Sequence, residues 1–399
     1  MTIIDPTKEF FCTAPWTSMF AHLGTTVPCH ANIDTQPRTP TEYFESDFLK
    51  GLKEDFVAGR VPSSCRACKN REDVGMRSTR QAILQGGQTA TFPSPKARKT
   101  IEIHKEDFTV DTPTVVSRLE IRTSNLCNFK CRMCSAPFSS EIAKENEEFP
   151  ILGSFDDDSV SYTPEGSLEE LKKLSLDGIR KLCFTGGEPM LIKQYYDFLD
   201  IITERGFSDN IIIELYTNCS VYNPKFIERL QKFITVDFVM SIDGVGATAE
   251  YIRKGTVWPI VEANVMKYVK MPAPFQLHFN TAISPYVLLD AANHARFLMK
   301  LYEANPDIRT RCYATFKPEP LHFRNMDVES RKRAVEQIDM AIDILTPENF
   351  DVIKREYSDI KKTLIEKDPV NPSLFITHTA IYDRVRNEKF EDVFGYKLV

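Results

Sequence analysis

The chain has 399 residues, of which 42% are hydrophobic and 27% charged, and its 50 Lys plus Arg against 56 Asp plus Glu leave a net charge of −6. That length accommodates two or three domains of roughly 150 residues and a sizeable core. No basic excess exists to coat a nucleic acid, no apolar run approaches the roughly 18 residues of a membrane span, and the start lacks a basic n-region ahead of an apolar one. The expectation is a cytoplasmic protein that binds neither nucleic acid nor membrane.

In chain order, residues 1–84 carry four of the ten cysteines and read as a small domain. Residues 85–113, with Gly86-Gly87, Pro93, Pro95 and the basic run Lys96 to Lys99, read as a linker. From 114 to 320, short β-branched or aromatic runs alternate with helical patterns. The spacing predicts strands over 115–122, 180–185, 211–217, 236–242, 275–283 and 311–316, with helices over 192–206, 224–233, 258–270 and 287–304. Six strands alternating with helices imply an α/β fold with a parallel sheet, curled into a TIM-like barrel or part of one. Residues 321–399 read as a helical region, with helices over 327–344 and 347–365. The acidic loop from Glu145 to Glu148 and the run Asp156 to Asp158 read as solvated. The stretch from Thr377 to Asn387 reads equally as a lid or as a plain surface helix.

Cysteines clustered in a cytosolic chain of this length point to metal binding or catalysis rather than a disulfide scaffold. After the first barrel strand, Cys127, Cys131 and Cys134 stand in a C-x3-C-x2-C spacing. Three thiolates cannot close a tetrahedral zinc site without a fourth ligand. They can hold three irons of a [4Fe–4S] cluster and leave one iron open. Spacing alone leaves both open. In the first 84 residues, Cys12, Cys29, Cys65 and Cys68 form C-x16-C-x35-C-x2-C, a complete set for zinc or for a closed [4Fe–4S] cluster.

The three-cysteine loop resembles the cluster loop of the radical S-adenosylmethionine (SAM) superfamily. The likeness continues through Gly186-Gly187-Glu188-Pro189 after the second strand, Asn218 after the third, Ser241 and then Arg253 after the fourth, and Asn280 on the fifth. The resemblance implies a partial (β/α)6 TIM-like radical SAM barrel between a small iron–sulfur domain and C-terminal helices. It implies SAM bound to the open iron and reductively cleaved to a 5′-deoxyadenosyl radical that abstracts hydrogen from a substrate C–H. Gly186, Gly187, Glu188 and Pro189 would meet the SAM ammonium, Ser241 the ribose or carboxylate region, and Arg253 the carboxylate. For Arg253 a plain surface-helix position is the alternative. Asn218 and Asn280 would reach ribose or substrate, or else cap turns. Met133 stands where the superfamily often has an aromatic residue; a thioether can also pack on adenine.

The words around Cys12, Cys29, Cys65 and Cys68 resemble the auxiliary-cluster modules called SPASM and twitch, here ahead of the barrel rather than after it. Four cysteines imply one auxiliary [4Fe–4S] cluster, hence two clusters in all, and a low-potential donor such as a flavodoxin or ferredoxin. The substrate implied first is a peptide or amino-acid side chain, crosslinked, epimerised or oxidised. The alternative is a small molecule such as a sugar, aminocyclitol or nucleoside, dehydrogenated or rearranged. A zinc-stabilised binding protein without catalysis is the reading from another class. Cys219, at a strand end, is a candidate hydrogen donor, as is Cys312, with packing the competing role for both. Cys183 reads as a core residue. Glu214, Tyr216, Asp243, His278 and Tyr313 are polar groups on or near strands without an assigned task.

Overall fold

The computed structural model describes residues 9–22, 24–32, 34, 36–73, 78–84, 105–155 and 167–398. Most of the expected linker (85–104) and the Asp156 to Asp158 run lie outside these residues. In chain order the strands are β1 (Ser18–His22), β2 (Thr25–Val27), β3 (Arg118–Arg122), β4 (Lys130–Cys131), β5 (Lys181–Phe184), β6 (Ile212–Thr217), β7 (Thr235–Ser241), β8 (Arg253–Lys254), β9 (Phe275–Ile283) and β10 (Arg309–Ala314). The chain divides into two compact units that interleave in sequence: residues 1–124, 158–215 and 225–236, and residues 125–157, 216–224 and 237–399.

In the first unit the strand order is β6-β5-β3-β1-β2. β3, β5 and β6 are parallel to one another, and β1 joins β3 in parallel with Ser18 opposite Arg118. Alternation along β3 gives the sheet two chemistries. Leu119 and Ile121 are wholly buried. Arg118 and Glu120 meet at 3.6 Å, and Glu214 pairs with Arg118 at 3.2 Å and with Lys181 at 3.3 Å. Beside this sheet Phe11, Trp16, Phe56 and Ile83 form an apolar cluster. The end of the expected linker belongs to it, since Phe108 packs 5.4 Å from the Trp16 ring and the Trp16 indole N–H donates to Thr109 O at 2.9 Å. Proline and glycine in the preceding residues conceal that anchor in the sequence.

In the second unit β7, β9 and β10 lie side by side, with β9 and β10 parallel and Tyr313 opposite Ala282. β4 and β8 form a separate antiparallel ladder. The C-terminal helices Val328–Ile344, Asp351–Glu366 and Pro372–Arg386 pack with this unit. The last is no surface helix: Phe375, His378, Thr379, Tyr382 and Arg386 are buried. Glu145, expected in solvent, is also buried, because Arg386 pairs with it at 2.7 Å and Lys130 at 2.9 Å. The fold is thus α/β with a parallel core and C-terminal helices, as the strand–helix alternation implies. The six expected barrel strands all form, with ends displaced by up to three residues. No helix of the described residues is long and apolar enough to cross a membrane.

Candidate active site

The three-cysteine loop is held by short polar links. Cys127 N donates to Ser140 Oγ at 3.2 Å. Asn218 donates to Asn128 Oδ1 at 3.1 Å and lies 4.0 Å from Cys127 Sγ, while its own Oδ1 accepts from Ser220 N at 2.9 Å. Asn218 therefore caps a turn and also braces the loop. Cys131 sits in β4 opposite Arg253 in β8. Cys134 N donates to Cys131 O at 3.0 Å, which folds the last two thiols into one turn. Burial pushes the Cys134 thiol up, and Cys131 and Cys127 add to the effect. Burial also raises Cys131, against the pull of Arg253. A bound cation that takes the place of the proton offsets this burial penalty.

Arg253 is not on a helix surface. Its Nη2 pairs with Asp243 Oδ2 at 2.5 Å and its Nε donates to the same oxygen at 2.7 Å. Nη1 points at Cys131 Sγ, 3.8 Å away. Asp243, 1% exposed, is itself held by Ala282 N at 2.8 Å. The turn that follows β7 thus orients Arg253 through a carboxylate that the sequence marked only as a polar group. Ser241 and Asn280 are half-buried on β7 and β9, and Asn280 O accepts from Ile242 N at 3.1 Å. Met133 is half-buried between the second and third cysteines.

In the other unit, Gly186 has φ +104, and a Cβ there would lie 2.5 Å from Arg122 Cγ and 2.8 Å from Ser124 O. Only glycine fits this backbone without displacing its neighbours. Gly187 N donates to Ser124 O at 3.4 Å. Glu188 is buried and accepts from Met190 N at 3.3 Å, so its carboxylate caps the short turn that Pro189 opens.

The four remaining ligand candidates line one small pocket, together with Phe10, Phe56, Ile83, Asn32 and Arg80. Asn32 Nδ2 lies 3.7 Å from Cys65 Sγ and 3.0 Å from Ser64 Oγ. Burial raises all four thiols, Cys65 to about 12, and each of Cys12, Cys29 and Cys65 is raised further by other cysteines of the set. Arg80 is buried on Glu72 and donates to the carbonyls of Glu9 and Phe11 at 2.9 Å each. Among the described residues no three His, Cys, Asp or Glu side chains are grouped so as to hold a single metal ion. The donor chemistry of both sets, thiols alone in enclosed surroundings, fits iron–sulfur ligation.

Cys219 is fully buried with φ 61, and its thiol lies 3.8 Å from Thr217 O. Burial pushes the Cys312 thiol up to about 12, and the charge of Glu356 adds to the effect. Cys183 is buried.

Residues 121–266 match the family model of the Radical SAM superfamily. They form a radical SAM domain. In that superfamily such a domain goes with SAM and a [4Fe–4S] cluster. The GTP 3′,8-cyclase of Campylobacter lari is 25% identical over 193 residues, 46% of this chain and 50% of that protein. The 7-carboxy-7-deazaguanine synthase of Thermoplasma acidophilum is 29% identical over 119 residues, 30% of this chain and 46% of that protein. The chain spans about half the length of these curated relatives. Among solved structures, anSMEcpe with bound AdoMet and a Cp18Cys peptide is 14% identical, with a TM-score of 0.36 over 57% of this chain and 59% of that one. SuiB of Streptococcus suis, bound to its precursor peptide SuiA, is 12% identical, with a TM-score of 0.36 over 76% of this chain and 68% of that one.

Proposed function

We propose that this chain is a radical SAM enzyme with two [4Fe–4S] clusters, one that takes SAM on Cys127, Cys131 and Cys134 and one auxiliary on Cys12, Cys29, Cys65 and Cys68. When bound, the first cluster and SAM supply one-electron cleavage of the sulfonium C–S bond and hydrogen abstraction from a substrate C–H. The observation that carries the reading is the β4–β8 ladder. It sets a loop of three thiols against an arginine whose charge is aimed at one of them and held by Asp243.

In this reading Arg253 orients a carboxylate beside the loop, the charge-assisted contact for which guanidinium is suited. On the resemblance of their motif, Gly186, Gly187, Glu188 and Pro189 are the residues that would meet the ligand's ammonium end. Ser241, Asn218, Asn280 and Met133 contribute polar and thioether contacts. The four-thiol pocket has no missing ligand, which favours electron relay or support over substrate ligation. The electron source is a flavodoxin- or ferredoxin-type donor, in a reducing cytoplasm. Cys219 is the candidate hydrogen donor to a substrate radical. Its enclosure makes this conditional on substrate opening that turn, and a Cys219→Ala variant that forms product at the parent rate excludes it.

The substrate class we favour is a peptide or amino-acid side chain, on the likeness of the four-cysteine words to twitch modules. A second reading is a nucleotide-like small molecule. The two curated relatives, by name a GTP cyclase and a deazaguanine synthase, favour it. Feeding the reduced enzyme SAM with a short peptide set or with a nucleoside set separates the two: the true class raises 5′-deoxyadenosine formation and gains a mass change. The class of reaction is tested more simply. Alanine at Cys127, Cys131 or Cys134 is expected to abolish 5′-deoxyadenosine formation, and a variant that retains it overturns the assignment.

A further inference from the structure

The ladder that carries Cys131 has two chemistries. Cys131 and Arg253 face one another, and Arg253 is held by Asp243. The adjoining cations, Lys130, Arg132 and Lys254, end on carboxylates other than Asp243, and all three are tied to one short stretch of chain, Arg132 and Lys254 directly and Lys130 through Glu145 and Arg386. Arg132 is the most enclosed, with no exposed surface. Its Nε donates to Tyr251 O at 3.0 Å, and its Nη2 donates to Asp383 Oδ1 and Glu388 Oε2, both at 2.7 Å. The guanidinium lies 3.7 Å over the Tyr251 ring. Glu388 also takes Lys254 at 2.8 Å. Asp383 accepts from Tyr251 Oη and from Phe390 N, each at 2.7 Å. Arg386, between them in sequence, pairs with Glu145, which takes Lys130.

The turn that makes this possible is local. Asn387 has φ 51, ends the helix Pro372–Arg386, and returns Glu388 so that its N–H reaches Asp383 O at 2.9 Å. Asparagine tolerates that left-handed conformation. The helix is already anchored by Phe375, His378 and Tyr382. Docking it therefore does not require burying an arginine and two carboxylates, whose dehydration is costly unless every charge is met. What a buried ionic network adds to apolar packing is direction. Here the direction is imposed on the residue between Cys131 and Met133.

We propose that the 383–388 turn is a positioning element for the three-cysteine loop, acting through Arg132. Asp383 and Glu388 hold Arg132, and Arg132 sets the spacing and tilt of Cys131 and Cys134 on which an open-iron cluster depends. None of the three touches reacting atoms. The inference rests on the cluster assignment made above.

The test uses the full chain, reconstituted anaerobically, in four forms: the parent, Arg132→Lys, Glu388→Gln, and a neutral triple variant (Arg132→Met, Asp383→Asn, Glu388→Gln). Iron per chain, the change in the EPR spectrum of the reduced protein on adding SAM, and the melting temperature are measured. Replacing a buried ionic network with neutral groups often leaves stability little changed, so the triple variant is expected to melt within about 5 °C of the parent. Its apparent SAM affinity, read from the EPR change, is expected to fall about 10- to 100-fold, the usual range for groups that orient metal ligands. Arg132→Lys, which keeps the charge but not the fork, is expected to recover part of that loss. If the triple variant does not fold, Glu388→Gln carries the same comparison. An undiminished SAM-induced change in the neutral variants overturns this inference alone. A parent that shows no SAM-induced change overturns the cluster assignment, and the inference with it.

Discussion

The pocket that gathers Cys12, Cys29, Cys65 and Cys68 draws its thiols from residues 12 to 68, whereas Cys127, Cys131 and Cys134 come from a single turn-rich loop. The pocket is walled by Phe10, Phe56 and Ile83 among others, and in the apolar cluster that Phe56 and Ile83 share, Phe11 stacks 5.7 Å from Trp16 and packs edge-on 6.2 Å from Phe56. The loop is held instead by ion pairs, Arg253 with Asp243 on one side and Arg132 with Asp383 and Glu388 on the other. Thiols far apart in sequence need a core to bring them together, so that pocket stands or falls with apolar burial. Thiols on one loop are close by connectivity, and what they need is orientation, which charge-assisted hydrogen bonds supply. The first arrangement suits a closed centre. The second suits a centre with an open position beside a cation.

That contrast can be broken most sharply at the thiols. Replacing Cys65 and Cys68 together with alanine is expected to remove about half of the reconstituted iron while SAM cleavage persists. Unchanged iron refutes the auxiliary assignment, and loss of SAM cleavage with full loop iron shows that the two sites are functionally inseparable. A packing change comes next. Phe56 is 2% exposed in the pocket wall, and Phe56→Ala is expected to cost about 3–5 kcal/mol in chemical denaturation. Pocket iron should be lost before loop iron, and equal loss from both contradicts the apolar account of the pocket.

The smallest effect is a pH dependence on the ionic side. His378 is buried against Phe155 and Tyr382, and burial, with Arg132 and Arg386 nearby, pushes its pKa well below the usual value. The folded state then holds it neutral, while the unfolded chain takes up a proton below about pH 6.5. Stability therefore falls as the pH drops through that value, by up to about 1.4 kcal/mol per pH unit for this one group. His378→Leu is expected to flatten the acid limb of a denaturation series by about one proton. An unchanged slope refutes the assignment.

The barrel strands and the glycine turn at Gly186 were legible because each leaves a local mark: a short apolar run between helices, or a Gly-Gly pair. β9 is found from Phe275 to Ile283 as expected, since its alternation is long and its flanks are clear. What escaped is what depends on distant partners. Arg132 and Glu388 are 256 positions apart, and no periodicity links them. Glu145 sits in an acidic run that reads as solvated until Arg386, 241 positions away, is brought to it. β1 and β2 have five and three residues, too short to stand out, and β1 exists by pairing with β3, 100 positions on. Asp243 was visible as a polar strand-end residue. Its grip on Arg253 was not, because it requires β8 to turn back toward β7.

The most direct test is anaerobic reconstitution of the full chain with iron and sulfide, followed by reduction in the presence of SAM. Iron, sulfide and 5′-deoxyadenosine are counted together. Two centres predict about eight irons and eight sulfides per chain with absorbance near ~400 nm and release of 5′-deoxyadenosine. A colourless protein that retains zinc and leaves SAM intact would contradict the account.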